Sequence, residues 1–147
     1  MPPRQLHAYL DGLAIELMAN SDNVLRGGLT PKHVDVPELL KILDFEPYPA
    51  QIILPQGSGS PEKMYYSQAE EFLLSVLEPS DSNAFVSSNK PPGPVILFCI
   101  QGEAVLTWPH RENDIVIRKG QSVFIPDSVK TYSLKGNAKF YKASVNI

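Results

Sequence analysis

The sequence contains one cysteine, Cys99, so no disulfide can form within the chain. A lone thiol suits a reducing compartment. It sits inside the apolar run VILFCI, which makes it a buried core thiol rather than a reactive one. An excess of charge of one sign is also lacking: 13 Lys and Arg stand against 16 Asp and Glu, a net charge of -3. With no basic run either, nothing in the electrostatics calls for nucleic acid. Apolar runs long enough to span a bilayer are absent, and MPPRQLHAYL has no signal-peptide hydrophobic region. Internal repeats and low-complexity tracts are missing as well. These absences point to a cytoplasmic protein with neither a membrane nor a nucleic-acid partner.

What is present reads as mainly β. Residues 6–19 alternate like strands, and 36–45 carry the one convincing helix signal. Asp35 can cap that helix, with Glu38 three residues later as in a capping box. Pro37 is tolerated in a first turn, where its missing N–H has no intrahelical partner. Leu39, Leu40, Ile42 and Leu43 recur at helical spacing, and Pro47 and Pro49 prevent continuation. From about residue 50, short runs rich in β-branched and aromatic residues follow: AQIIL, KMYYS, EFLLSVLE, PVILFCI, EAVLTW, DIVIRK, QSVFIP, KTYSL and AKFYKASV. Gln101-Gly102, Lys119-Gly120 and Gly136-Asn137 read as tight turns between them. Many short strands with frequent turns predict an antiparallel sandwich or closed barrel.

Two stretches near the N-terminus are richer chemically. HAYLDGLAIELMA holds Asp11-Gly12 between alternating runs, a strong signal for a two-residue hairpin turn. That register sets His7 opposite Glu16 and Tyr9 opposite Ala14. Leu6, Ala8, Leu10, Leu13, Ile15 and Leu17 then form one apolar face, and His7, Tyr9, Glu16 and Met18 the other. The polar face is either the wall of a cavity or plain solvent-facing surface. The loop that follows, NSDNVLRGGLTPK, places Asp22, Arg26 and Lys32 around Gly27-Gly28. Glycines permit positive φ or close approach of backbone to a ligand. Two cations around them suit a phosphate or other oxyanion, or else belong to a solvated connection.

HAYLDGLAIELMANSDNVLRGGLTPKHVDVPELL closely resembles the signature region of type I mannose-6-phosphate isomerases, nearly unbroken from His7 to Leu40. The remainder resembles the family's C-terminal region more loosely, through its strand pattern and VILFCIQGEAVL. The resemblance implies a zinc-dependent aldose–ketose isomerase of the cupin fold, interconverting mannose 6-phosphate and fructose 6-phosphate through an enediol. Zinc would polarise substrate oxygens and stabilise developing negative charge. His7 matches a zinc ligand of the family. Tyr9, Glu16 and Asp22 match residues that line or support its pocket. Arg26 and Lys32 match its signature cations, which bind the phosphate or stabilise the enediolate.

The family uses four zinc ligands, and the Gln, His and Glu that precede this His in the chain have no counterpart here. The expectation is therefore a C-terminal portion of the enzyme. Residues 1–34 would be the end of the catalytic cupin barrel, a leftover hairpin with the signature loop. Residues 35–48 would be helix and linker, and 49–147 a second, cupin-like (jelly-roll) antiparallel β-domain. By itself the chain is expected to be inactive and unable to hold zinc. Its expected partners are a phosphorylated hexose and either the missing N-terminal catalytic half or a second copy of itself. A metal-binding cupin would carry a His-x-His motif after QGEAVL; TWPHREN offers His110 alone, so the second domain reads as structural. The alternative is a stand-alone, non-catalytic cupin-like module that binds sugar phosphate or serves a structural role. An upstream reading frame carrying the other ligands would separate the two.

Overall fold

The computed structural model describes residues 4–20, 24–47, 49, 52–87, 93–110 and 114–146. The chain divides into two compact units, Met1–Ile52 and Ile53–Ile147.

Among its described residues the first unit holds one regular element, α1 (Val36–Ile42). Asp35 caps it as anticipated: the Glu38 backbone N–H donates to Asp35 Oδ1 at 3.0 Å. The capping box is only half used, because the Glu38 carboxylate pairs with Lys41 at 2.9 Å instead. The helix is three residues shorter than its sequence signal, 36–42 rather than 36–45. Leu43 turns extended, and the Asp44 N–H leaves the helical ladder to donate to the Arg4 carbonyl at 2.9 Å.

The second unit is an antiparallel β-structure with, among its described residues, eight strands: β1 (Glu62–Tyr65), β2 (Leu73–Leu77), β3 (Phe85–Val86), β4 (Val95–Thr107), β5 (Ile115–Arg118), β6 (Ser122–Ile125), β7 (Ser133–Lys135) and β8 (Ala138–Ser144). They pair in the order β1-β2-β8-β4-β7-β3, with β5 and β6 also on β4. The first half of β4 pairs with β6 and β8, the second half with β5 and β7. One long strand thus serves both sheets and curls the structure round a shared interior.

That strand corrects two expectations. PVILFCI and EAVLTW are one 13-residue strand, and Gln101-Gly102 is no turn. The register against β8 slips between Cys99 and Gln101: Cys99 faces Phe140, while Gln101 faces the very next residue, Lys139. Ile100 is the extra residue of a β-bulge. A bulge reverses the side-chain parity of a strand. Leu97 and Cys99 point inward before it, and Ala104 and Leu106 point inward after it. Gly102, at φ +71°, makes the bend, and a Cβ there would collide with the Asn137 carbonyl. Lys119-Gly120 does turn the chain, between β5 and β6, and docks on the bulge: Gly120 N donates to Cys99 O at 2.8 Å and Lys119 N to Gly102 O at 3.0 Å. Gly136-Asn137 turns it again between β7 and β8.

Leu77, Phe85, Leu97, Cys99, Leu106, Ile117, Ile125, Leu134 and Phe140 form the core. Cys99 is fully buried, its thiol directed at the Gln101 carbonyl. Burial pushes that thiol above its ordinary pKa, so it stays protonated and packs as a small apolar group. The AQIIL run yields no strand over the described residues 52–55; a lone bridge joins Gln56 to Met64. Pro55 lacks the N–H that would extend the ladder.

Candidate functional site

The site residues expected from the sequence lie in the first unit. The chain bends at Asp11-Gly12, where Gly12 has φ +102° and its N–H donates to Asp11 Oδ1 at 2.8 Å. The bend brings the two arms together: Tyr9 Oη donates to Glu16 Oε1 at 3.4 Å. His7 stands edge-on to Tyr9, with ring centroids 6.4 Å apart. Its Nδ1 lies 3.1 Å from the Gln5 carbonyl. An N–H on Nδ1 would satisfy that carbonyl and leave Nε2 as the lone-pair nitrogen, the arrangement a metal-ligating histidine uses.

The expected hairpin ladder is not formed. No residue from 4 to 20 is in a strand, and the contact across the bend is Tyr9–Glu16 rather than the direct His7–Glu16 pairing. Two strands alone are marginal in water, and a ladder needs its apolar face covered. Here that face is bare: Leu10 is 87% exposed, and Leu6 and Leu13 are also exposed.

In the glycine loop one of the two glycines uses the positive φ that glycine permits. Gly28 takes φ +134°, and Gly27 is so close to the Leu6 side chain that a Cβ there would clash with it. Leu29, at φ +53°, continues the left-handed turn, and the Lys32 N–H donates to Thr30 Oγ1 at 3.2 Å. Arg26 is half-buried and Lys32 exposed. Neither side chain is in an ion pair among the described residues, so both charges stand open to an anion. Asp22 lies outside the described residues. Tyr9, Glu16 and His7 are therefore grouped, while among the described residues no hydrogen bond or ion pair joins them to Arg26 or Lys32.

The chemistry of the donor set bears on zinc. Among the described residues no three His, Cys, Asp or Glu come together. A catalytic zinc needs about three protein ligands. The residues present fit one ligand of such a site, His7, and not a whole site.

One polar grouping passed over in the sequence lies in the second unit, where Lys142 and Glu62 pair at 2.6 Å on the inner face of the sheets. Its only sequence signal is a charged residue at an inward position of an alternating strand. Among the described residues, no helix is long and apolar enough to cross a membrane.

Comparison with known proteins bears on what these groups are for. A family model described as "Mannose-6-phosphate isomerase, cupin domain" matches residues 62–145. The mannose-6-phosphate isomerase of Escherichia coli (strain K12) is 37% identical over 134 residues, covering 90% of this chain and 33% of that protein. The Salmonella typhimurium enzyme is 43% identical over 121 residues, 81% of this chain and 29% of the relative. The human enzyme is 32% identical over 133 residues, with the same coverage. The crystal structure of the Salmonella typhimurium enzyme bound to substrate (f6p) and zinc superposes with a TM-score of 0.74 at 34% identity, covering 88% of this chain and 32% of that one. The chain thus spans about a third of the length of the curated relatives it matches.

Proposed function

The chain belongs to the mannose-6-phosphate isomerase family, and from that membership we propose that it is the C-terminal portion of an enzyme interconverting mannose 6-phosphate and fructose 6-phosphate. Residues 1–34 contribute to the catalytic barrel, 35–48 connect, and 49–147 form the second cupin-like domain. The observation that carries this reading is the grouping of His7, Tyr9 and Glu16 across the Asp11-Gly12 bend, beside an apolar face with nothing over it. A wall of that composition suits a barrel whose other strands come from elsewhere.

Within that barrel His7 would supply one ligand to the zinc that the Salmonella typhimurium enzyme holds. Tyr9 and Glu16 hold each other and so set the ring against which His7 rests. A carboxylate in that place orients its neighbours. Arg26 and Lys32 receive the phosphate or the developing enediolate oxygen, one as a planar fork and the other as a point charge.

The test is complementation. Zinc content after dialysis and fructose 6-phosphate formation from mannose 6-phosphate are measured on the chain alone and after adding the preceding two-thirds of the Escherichia coli enzyme. Alone, the chain should retain no stoichiometric zinc and show no turnover. With the added barrel both should appear, and His7→Ala should abolish both. Stoichiometric zinc and robust turnover by the chain alone would overturn the reading. If the added barrel associates with the chain but restores neither, the non-catalytic module is the better account.

A further inference from the structure

The Asp11-Gly12 bend sets up a covalent step of its own. An aspartate carboxyl carbon can be attacked by the amide nitrogen of the next residue when the two are held together and nothing shields them. A ladder that fixes the amide, or a side chain on the next residue, normally prevents this. Here neither is present. Asp11 and Gly12 are both exposed and lie in no strand. Gly12 carries no side chain, and nothing lies within 4 Å of where its Cβ would stand. The Gly12 amide nitrogen is 2.8 Å from Asp11 Oδ1, and the carboxyl carbon is the atom bonded to that oxygen.

The other described aspartates are engaged elsewhere or shielded. Asp35 Oδ1 accepts from the Glu38 N–H at 3.0 Å, and Asp44 Oδ1 from the Glu46 N–H at 3.1 Å. The Asn137 amide donates to Asp81 Oδ2 at 3.2 Å. Gly93 N–H and the Lys130 ammonium hold the two oxygens of Asp127, at 2.8 and 2.7 Å. Asp114 is followed by Ile115, a β-branched residue that opens β5. Asp11-Gly12 is also the one Asp-Gly pair in the sequence.

We propose that Asp11-Gly12 is a self-modification site, at which the aspartate converts through a succinimide to isoaspartate. The Gly12 nitrogen bonds to Asp11 Cγ, and the bond from Cγ to the carboxyl hydroxyl breaks. That hydroxyl and the amide proton leave as one water. A second water then opens the ring. Attack at Cγ restores aspartate, and attack at the main-chain carbonyl leaves isoaspartate. One water is lost and one gained, so no oxidant or cofactor is needed. The carboxyl must be protonated for its hydroxyl to leave, so ring closure is faster in mild acid than in base. Isoaspartate inserts a methylene into the main chain at the bend that brings Tyr9 to Glu16. The covalent step does not depend on the isomerase reading; its consequence for Tyr9 and Glu16 does.

The folded chain is kept in heavy-oxygen water at about 37 °C for about four weeks, beside a sample unfolded in guanidinium chloride. Its peptides are then mapped by electron-transfer mass spectrometry. Isoaspartate carrying one heavy oxygen is expected at Asp11, about tenfold above any other aspartate, with a folded yield at least equal to the unfolded one. Asp11→Glu keeps the charge but would need a larger ring, and its peptide should stay unmodified. No isoaspartate at Asp11, an equal yield at another aspartate, or a folded yield far below the unfolded one overturns the proposal. The aged chain, mixed with the preceding two-thirds of the Escherichia coli enzyme, should recover less turnover than fresh chain, while Asp11→Glu should lose none on ageing. If fresh chain recovers no turnover, the isomerase reading fails and the isoaspartate yield alone decides this one.

Discussion

Two stretches of this chain look alike on paper and fold differently. HAYLDGLAIEL and VILFCIQGEAVL each place a glycine-containing pair between apolar runs, and both glycines adopt positive φ, +102° at Gly12 and +71° at Gly102. At Gly12 the chain bends back on itself, forms no ladder and leaves Leu10 and Leu13 in solvent. At Gly102 it continues as one strand through a bulge, with Leu97, Cys99, Ala104 and Leu106 all buried. The difference lies in the neighbours. Four strands flank β4, and the β5–β6 turn hydrogen-bonds to the bulge itself. Alternation of apolar residues makes a strand only where something covers one face and pairs both edges. A left-handed glycine is only a permission to bend, and its surroundings decide between turn and bulge.

The contrast can be broken at its strongest point first. Phe140 is fully buried and faces Cys99 at the bulge. Phe140→Ala should destabilise the second unit by about 3–5 kcal/mol in chemical denaturation. An effect near zero would mean that β4 is not held by its inner face. Comparing Gly102→Val with Gly12→Val sharpens the point. Both lose a left-handed glycine, but only at Gly102 does a Cβ meet backbone, whereas at Gly12 nothing lies within 4 Å. The expected costs are about 3 kcal/mol at Gly102, visible in the melting of the barrel, and about 1 kcal/mol or less at Gly12. Equal effects would erase the distinction between bulge and bend.

The first unit should matter for ligand rather than for stability. In a full-length relative, replacing the arginine equivalent to Arg26 by alanine should weaken substrate binding by about 1.5–3 kcal/mol, read from KM and direct titration, with little change in melting temperature. Unchanged affinity and turnover would remove Arg26 from the site. Asp35→Ala removes the observed cap of α1 and should cost about 1 kcal/mol, seen as faster amide exchange through Val36–Ile42.

The smallest effect is electrostatic. Hydrogen bonds from Lys139 and Lys63 hold the Glu78 carboxyl below its usual pKa, at 3.0 and 3.3 Å. A carboxyl depressed in the native state stabilises above its unfolded pKa, and that contribution fades as pH falls through the native value. Glu78 is half exposed, so the gain is below about 1 kcal/mol. The melting difference between the wild-type chain and Glu78→Gln should be present at neutral pH and close on acidification below about pH 4. A difference that persists in acid would point to packing instead of charge.

Much of the β-domain was legible because its signals were local. EFLLSVLE, DIVIRK, QSVFIP and AKFYKASV all contain observed strands, KMYYS overlaps one, and Lys119-Gly120 and Gly136-Asn137 turn the chain. Asp35 capped its helix because one carboxylate and one N–H three residues apart suffice. The misses were non-local. Gln101-Gly102 carried the composition of a turn, but its conformation answers to β8 and the β5–β6 turn. The end of α1 was misjudged by three residues because the Arg4 carbonyl, some forty positions away, captures the next N–H. At the candidate site, residue types and the grouping of Tyr9 with Glu16 could be read from alternation about Asp11-Gly12, while the Tyr9–Glu16 contact in place of the direct pair could not.

By itself, the sequence determined which residues would seek burial, where left-handed backbone was affordable and how α1 begins. Each of these depends on a residue and its near neighbours, through side-chain chemistry and allowed φ. Only the tertiary structure decided that β4 would run unbroken past Gly102, and that the arms about Gly12 would meet without pairing. It also decided that Glu62 and Lys142 would pair on one inner face. Those outcomes turn on which distant strands share an edge or a face, and the energy of burying a group is set by what lies across from it.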